Sequence, residues 1–133
     1  MAVVGILVLL AGCSSPHRPP LEDVHGRVTR DGAPVEGVLV EFEPWIGRTS
    51  FGRTDASGKY RLDFSNTWKG ALVGEHRVRL RAPTVSPQQI PNYATLDPAA
   101  QDAALQRELT EVPHRIKVVE GRENVFDFEL NHL

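Results

Sequence analysis

From Val24 onward, apolar and polar residues alternate with a period of two. Val24, Gly26 and Val28 alternate with His25, Arg27 and Thr29, the pattern of a strand with one buried face. Asp31-Gly32 turns the chain, and Val38, Val40 and Phe42 then alternate with Leu39, Glu41 and Glu43 in a second strand closed by Pro44. A short third strand is predicted over residues 51–54. Ala56-Ser57-Gly58 leads into a fourth, where Tyr60, Leu62 and Phe64 point one way and Arg61 and Asp63 the other. His76, Val78 and Leu80 alternate with Arg77, Arg79 and Arg81 in a fifth. Ile116 and Val118 mark a sixth, and after a Glu120-Gly121 turn, Phe126, Phe128 and Leu130 alternate with Asp127 and Glu129 in a seventh. Short strands joined by turns at this spacing predict an all-β fold, a seven-stranded antiparallel β-sandwich. Phe42, Tyr60, Leu62, Val78, Leu80, Phe126 and Phe128 are then the side chains expected between its sheets.

One segment breaks the alternation. Residues 83–113 contain Pro87, Pro91 and Pro98 and are too long for an ordinary connection. Asp97 can cap a helix with Pro98 at its first position, and residues 99–109 are rich in helix formers. A short helix is expected here, lying over the sandwich edge with Ala103, Leu105 and Leu109 turned inward.

The stretch before Val24 has a different character. Residues 2–11 form an almost unbroken apolar run, shorter than the roughly 20 residues needed to span a bilayer but matching the core of an export signal. It ends in Leu10-Ala-Gly-Cys13, small residues followed by a thiol that can accept diacylglycerol. This resembles the bacterial lipobox. The expected organisation is a lipoprotein signal peptide over residues 1–12, a lipidated Cys13 with a proline-rich tether over 13–21, and one domain over 22–133. No Lys or Arg lies between Met1 and Cys13, where export signals begin with positive charge, which leaves the true start of translation open. Cys13 is the single cysteine, so no disulfide can form within the chain, and lipidation would consume the thiol.

Composition narrows the function classes. At 133 residues, 41% hydrophobic and 24% charged, the sequence fits one domain with a modest core. A formal charge of −2 argues against nucleic acid as a partner, which calls for a concentrated basic surface.

The strand-bearing segments also resemble a known family. Val24-His-Gly-Arg-Val-Thr, Asp31-Gly-Ala-Pro-Val-Glu-Gly-Val and Thr54-Asp-Ala-Ser-Gly-Lys-Tyr are similar to the carboxypeptidase regulatory-like domain, a transthyretin-like sandwich. Gly70-Ala-Leu-Val-Gly-Glu-His-Arg-Val, Ile90-Pro-Asn-Tyr and Glu120-Gly-Arg-Glu-Asn-Val-Phe-Asp-Phe-Glu-Leu are similar to its short lipoprotein form, common in planctomycete-type bacteria. The resemblance covers nearly all of the chain after the tether, and His76 stands where such lipoproteins place an aromatic residue. It implies a fold and an envelope location, and it carries no catalytic residues to transfer.

Enzyme chemistry finds no constellation in the sequence. His17, His25, His76, His114 and His132 show no paired metal-ligand spacing, and the single carboxylate of the Asp55-Ala-Ser-Gly58 turn falls short of a calcium site. The Tyr-Arg-Gly-Ser ending of the transthyretin-like hydroxyisourate hydrolases is missing; the chain ends Asn131-His-Leu133. No cofactor and no metal are therefore expected. Trp45, Trp68 and Tyr93 lie outside the regular strands and are the candidate ligand-binding residues, since aromatic faces stack on sugar rings or prolines. The competing expectation is that the tryptophans plug the ends of the sandwich, and it is favoured for Trp45, which directly follows a buried strand. Arg77, Arg79 and Arg81 are expected to pair across strands with Glu or Asp rather than bind an anion. The function expected is a non-enzymatic, membrane-anchored lipoprotein of the cell envelope carrying an interaction or structural module. Its partners would be the membrane, through the lipid anchor, and an envelope protein or polysaccharide. The alternatives are a carbohydrate- or peptidoglycan-binding module and a subunit of a larger envelope transport or secretion assembly.

Overall fold

The computed structural model describes residues 18–133, so the signal segment and Cys13 lie outside the described residues. The described chain is mostly β. β1 (Leu21–Glu22), β2 (Val24–Arg30) and β3 (Ala33–Pro34) are followed by β4 (Leu39–Pro44), β5 (Ser50–Arg53) and β6 (Lys59–Arg61). β7 (Ala71–Leu72) and β8 (Gly74–Pro83) precede the long connection, which holds the short helix α1 (Pro98–Ala104). β9 (Arg107–Glu111), β10 (Ile116–Val118), β11 (Asn124–Val125) and β12 (Phe128–Glu129) complete the order.

Two five-stranded sheets face one another. The first runs β10-β8-β4-β5, with β9 also on β8; the second is centred on β2, which pairs with β3, β6, β11 and β12. β1 and β7 form a separate two-stranded piece. The alternation read from the sequence sets the faces: Val24, Val28, Tyr60, Leu62 and Phe128 from one side meet Val40, Phe42, Val78 and Leu80 from the other in a single buried cluster. Each such fully buried side chain stabilises the fold by about 1.5–3 kcal/mol relative to exposure. Phe126, expected fully inside, is partly buried and packs against this cluster.

Local chemistry fixes the turns. Asp31 and Gly32 both have positive φ, 51° and 78°, the mirror-image turn whose twist suits a two-residue hairpin between β2 and β3. The Glu129 carboxylate braces this turn, accepting from Thr29 Oγ1 at 2.6 Å and from the Asp31 amide at 2.8 Å. In the turn before β6, Asp55 accepts from the Ser57 amide at 2.9 Å, the Ser57 hydroxyl at 2.8 Å and the Lys59 amide at 3.0 Å. These donors hold both carboxyls below the ordinary range, led by the Thr29 hydroxyl for Glu129 and the Ser57 hydroxyl for Asp55. Carboxyls that ionise more readily in the folded chain favour the fold above the ordinary value near 4, and that contribution is lost as pH falls through their lower folded values. The melting temperature is therefore expected to drop as pH is lowered from about 4, and Glu129→Gln should make the drop shallower. An identical acid profile for parent and variant would contradict this role.

Four features differ from the sequence reading. β11 and β12 run parallel to β2, not antiparallel, because the chain crosses from β10 in the first sheet to the second and enters alongside β2 instead of folding back as a hairpin. The helix ends at Ala104 rather than reaching Leu109, since Gln106 takes a left-handed conformation and residues 107–111 pair with β8 instead. Of the three side chains expected inward, only Leu105 is buried; Ala103 is exposed and Leu109 is 50% exposed. Leu21, assigned to the tether, already pairs with Leu72. The Asp97 side chain does cap the helix, accepting from the Ala100 amide at 3.0 Å. Beyond the helix, Arg107 ties the connection to the sandwich through Asp102 and, at 3.1 Å, the Gly37 carbonyl.

Candidate functional site

The chain enters the fold at one end of the sheets. Val73 donates to the Pro20 carbonyl at 3.0 Å, and Leu21 and Glu22 pair with Leu72 and Ala71. β4 finishes at the same end: Pro44 lies opposite His76, and the next residues turn out of the sheet until Gly47 packs against Leu72. Trp45 is consequently 78% exposed and Ile46 83% exposed, which overturns the expectation that Trp45 plugs the core. His76 fills that place. It is fully buried, tilts against Phe42 with ring centroids 5.6 Å apart, and is hydrogen-bonded through Nε2 to the Leu72 carbonyl at 2.7 Å. His76 departs from the aromatic residue that the family resemblance implies at this position, and its imidazole is nonetheless packed in the core.

Trp45 carries the Arg115 guanidinium over its ring, 5.0 Å from the centroid, the arrangement that favours a cation on an aromatic face. Trp68 is half-buried and tilted against Phe64, with centroids 6.4 Å apart, while Arg48 lies 6.0 Å from the Phe64 ring. Tyr93 sits elsewhere. It belongs to a 3₁₀ turn at Tyr93–Thr95 in the connection that leaves the far end of β8, where its carbonyl accepts from Gln101 Nε2 at 3.0 Å. β8 starts at Gly74, beside the end where the chain enters, and runs for ten residues, so a span of about 30 Å along the strand separates that end from the start of this connection. The three aromatic residues proposed from sequence do not form one site.

A groove of about 810 Å³ lies over the outer face of β2 and β6, where Arg27, Lys59, Arg61 and Asp127 surround Tyr60 and Val125. Sequence reasoning missed it. The signal was present in the polar half of each alternation, because His25 lies opposite Arg61 and Arg27 opposite Lys59 in the β2–β6 ladder. Most of the groove's charges are already engaged: Arg61 with Asp23 at 3.1 Å, Lys69 with Asp63 at 2.7 Å, and Asp127 with the Arg27 amide at 2.8 Å. His25 Nε2 meets Glu123 at 2.6 Å. At the floor, the Tyr60 hydroxyl donates to the Phe126 carbonyl at 2.6 Å, and burial, aided by the charge of Asp127, pushes its ionisation far up, so it stays a neutral donor.

The arginine row on β8 is paired as expected. Arg79 reaches Glu43 at 2.7 Å, Arg81 reaches Glu41 at 3.0 Å and Arg77 reaches Glu111 at 3.4 Å. Among the described residues, no group of three or more His, Cys, Asp or Glu is placed to hold a metal ion. Nor, among the described residues, is any helix long and apolar enough to cross a membrane.

No family model matches the chain, and no curated protein matches it. Among solved structures, it is similar to a 9R-lipoxygenase from Cyanothece PCC8801 at 15% identity and a TM-score of 0.34, over 86% of this chain. The chain spans 18% of that lipoxygenase's length.

Proposed function

We propose that the protein is a non-enzymatic lipoprotein of the cell envelope, anchored through Cys13, whose β-sandwich is a transthyretin-like, carboxypeptidase regulatory-like domain used for interaction. The observation that carries this reading is the way the chain enters the fold. Pro20 and Leu21, which end the proposed tether, are hydrogen-bonded to one end of the sheets, so in this reading the long connection and α1, at the opposite end, would face away from the membrane. Connections presented on a rigid sheet scaffold are where binding residues usually lie. The charged side chains of the groove and of the arginine row are largely committed to one another, which favours a structural surface over a reactive one.

The anchor is tested by Cys13→Ser in a lipoprotein-processing host. The parent chain is expected to begin at Cys13, to carry acyl mass and to partition into detergent, while the variant stays unprocessed or becomes soluble. Unmodified Cys13 by intact mass in a membrane-bound chain would refute the lipoprotein reading.

A second reading, a carbohydrate- or peptidoglycan-binding module, draws support from the exposure of Trp45. It requires that a polysaccharide or peptidoglycan fraction retain the parent and that Trp45→Ala abolish retention with little loss of stability. Failure of the parent to be retained removes it.

A further inference from the structure

We propose that the anchor end of the domain is a membrane-contact face, on which Trp45 and Ile46 enter the lipid interface and neighbouring arginines meet anionic headgroups. The inference rests on the lipoprotein reading for its geometry, since it takes the bilayer to lie where the tether ends. Cys13 is five residues before Arg18, so at most about 18 Å of extended chain separates the acyl attachment point from the described fold. Arg18 lies with Leu21, Glu22 and Lys69 around one small depression, and Leu72, the partner of Leu21, touches Gly47 directly after the Trp45-Ile46 pair. The two most exposed large apolar side chains of the described residues are thus adjacent in sequence and sit at the end from which the lipid anchor departs.

Their chemistry fits a bilayer surface better than a second protein or a sugar. Tryptophan is enriched at the headgroup level, where its ring is half in hydrocarbon and its N–H remains wet, and an isoleucine beside it adds purely apolar area. Arg115 over Trp45 and Arg48 over Phe64 set cations around this end, and neither makes an ion pair among the described residues. Three carboxylates at this end are already occupied, Glu43 by Arg79 at 2.7 Å, Asp63 by Lys69 at 2.7 Å and Glu22 by the Gly121 amide at 2.9 Å, whereas Glu75 and Glu120 make no ion pair among the described residues. Headgroup phosphates would therefore find donors without displacing a partner.

Trp68→Phe leaves Trp45 as the single tryptophan, because the chain has two. The full-length lipidated protein carrying this change is reconstituted into vesicles of phosphatidylcholine and phosphatidylglycerol, with and without brominated acyl chains. Trp45 emission is expected to shift to the blue and to be quenched by the brominated lipid. An unquenched Trp45 in a protein that intact mass shows to be acylated on Cys13 overturns the inference. So does a blue shift that grows with protein concentration in detergent, which would mean a second copy, or one produced by added polysaccharide without vesicles. Should Cys13 prove unmodified, the lipoprotein reading fails separately, and the face is still tested with the Cys13→Ser, Trp68→Phe chain at excess vesicles. Binding is then expected to weaken about fivefold in Arg115→Ala and further in Ile46→Asp, both at surface positions. No vesicle binding, or binding indifferent to both changes, overturns it.

Discussion

Phe42→Ala is expected to cost about 3–5 kcal/mol, enough to leave much of the population unfolded near room temperature in a domain of this size. Phe42 is fully buried between the two sheets, near the end where the chain enters the fold. Its ring lies 5.6 Å from His76, 5.9 Å from Phe126 and 6.5 Å from Phe128. Truncation removes the transfer free energy of the ring and opens a cavity that rigid strands on both sides cannot close. It also leaves His76 without the aromatic face against which it packs. Urea denaturation followed by far-ultraviolet dichroism measures the effect, and a loss below about 1 kcal/mol would mean that the core is not centred on Phe42.

Gly26→Ala is expected to be nearly as damaging, for the opposite reason. A Cβ at position 26 would stand 1.9 Å from the Phe126 carbonyl oxygen and 2.6 Å from its carbon, with the Tyr60 ring at 3.1 Å. The obstacle is backbone, so no rotamer change relieves it, and the segment joining β11 to β12 must move. That movement breaks the Tyr60 hydroxyl bond to the Phe126 carbonyl and the 3.0 Å bond from the Phe126 amide to His25. Overpacking and two lost hydrogen bonds together amount to about 3 kcal/mol. Tyr60→Phe, which removes a single bond without a clash, should cost only about 1 kcal/mol. Equal effects from the two substitutions in thermal melts would show that the close approach at Gly26 does not govern this corner.

The sequence was most legible where one face of a strand is buried. Val24, Val28, Val40, Phe42, Tyr60, Leu62, Val78, Leu80 and Phe128 were all placed inward by alternation alone, and all are buried. The signal failed where backbone pairing, not side-chain burial, makes the strand. In β9, Arg107-Glu-Leu-Thr-Glu111 carries its one large apolar side chain half in solvent, so its composition read as the continuation of a helix. Strand direction was likewise invisible, since a chain that crosses between sheets and one that folds back as a hairpin show the same period. At the end where the chain enters, the error over Trp45 came from treating the largest aromatic ring as the natural plug. The alternation itself put His76 in register with Val78 and Leu80, and following it would have given the core to the imidazole and left Trp45 outside. The groove over β2 and β6 went unseen because it is made of the outward residues, which carry no burial signal.

The arrangement of β9 and β10 along β8 also bears on how many copies can live side by side. A long unpaired sheet margin would let copies zip into fibrils wherever they are concentrated. Here β9 covers residues 79–83 of β8 and β10 covers 74–76, and the two are joined by a bend containing Pro113, so this side offers two short segments instead of one continuous ladder. At the other margin, Phe51 of β5 exchanges both backbone hydrogen bonds with Asp63, at 3.0 and 2.8 Å, which folds that edge onto the opposite sheet. Neither margin of this sheet thus presents a second copy with one long continuous ladder.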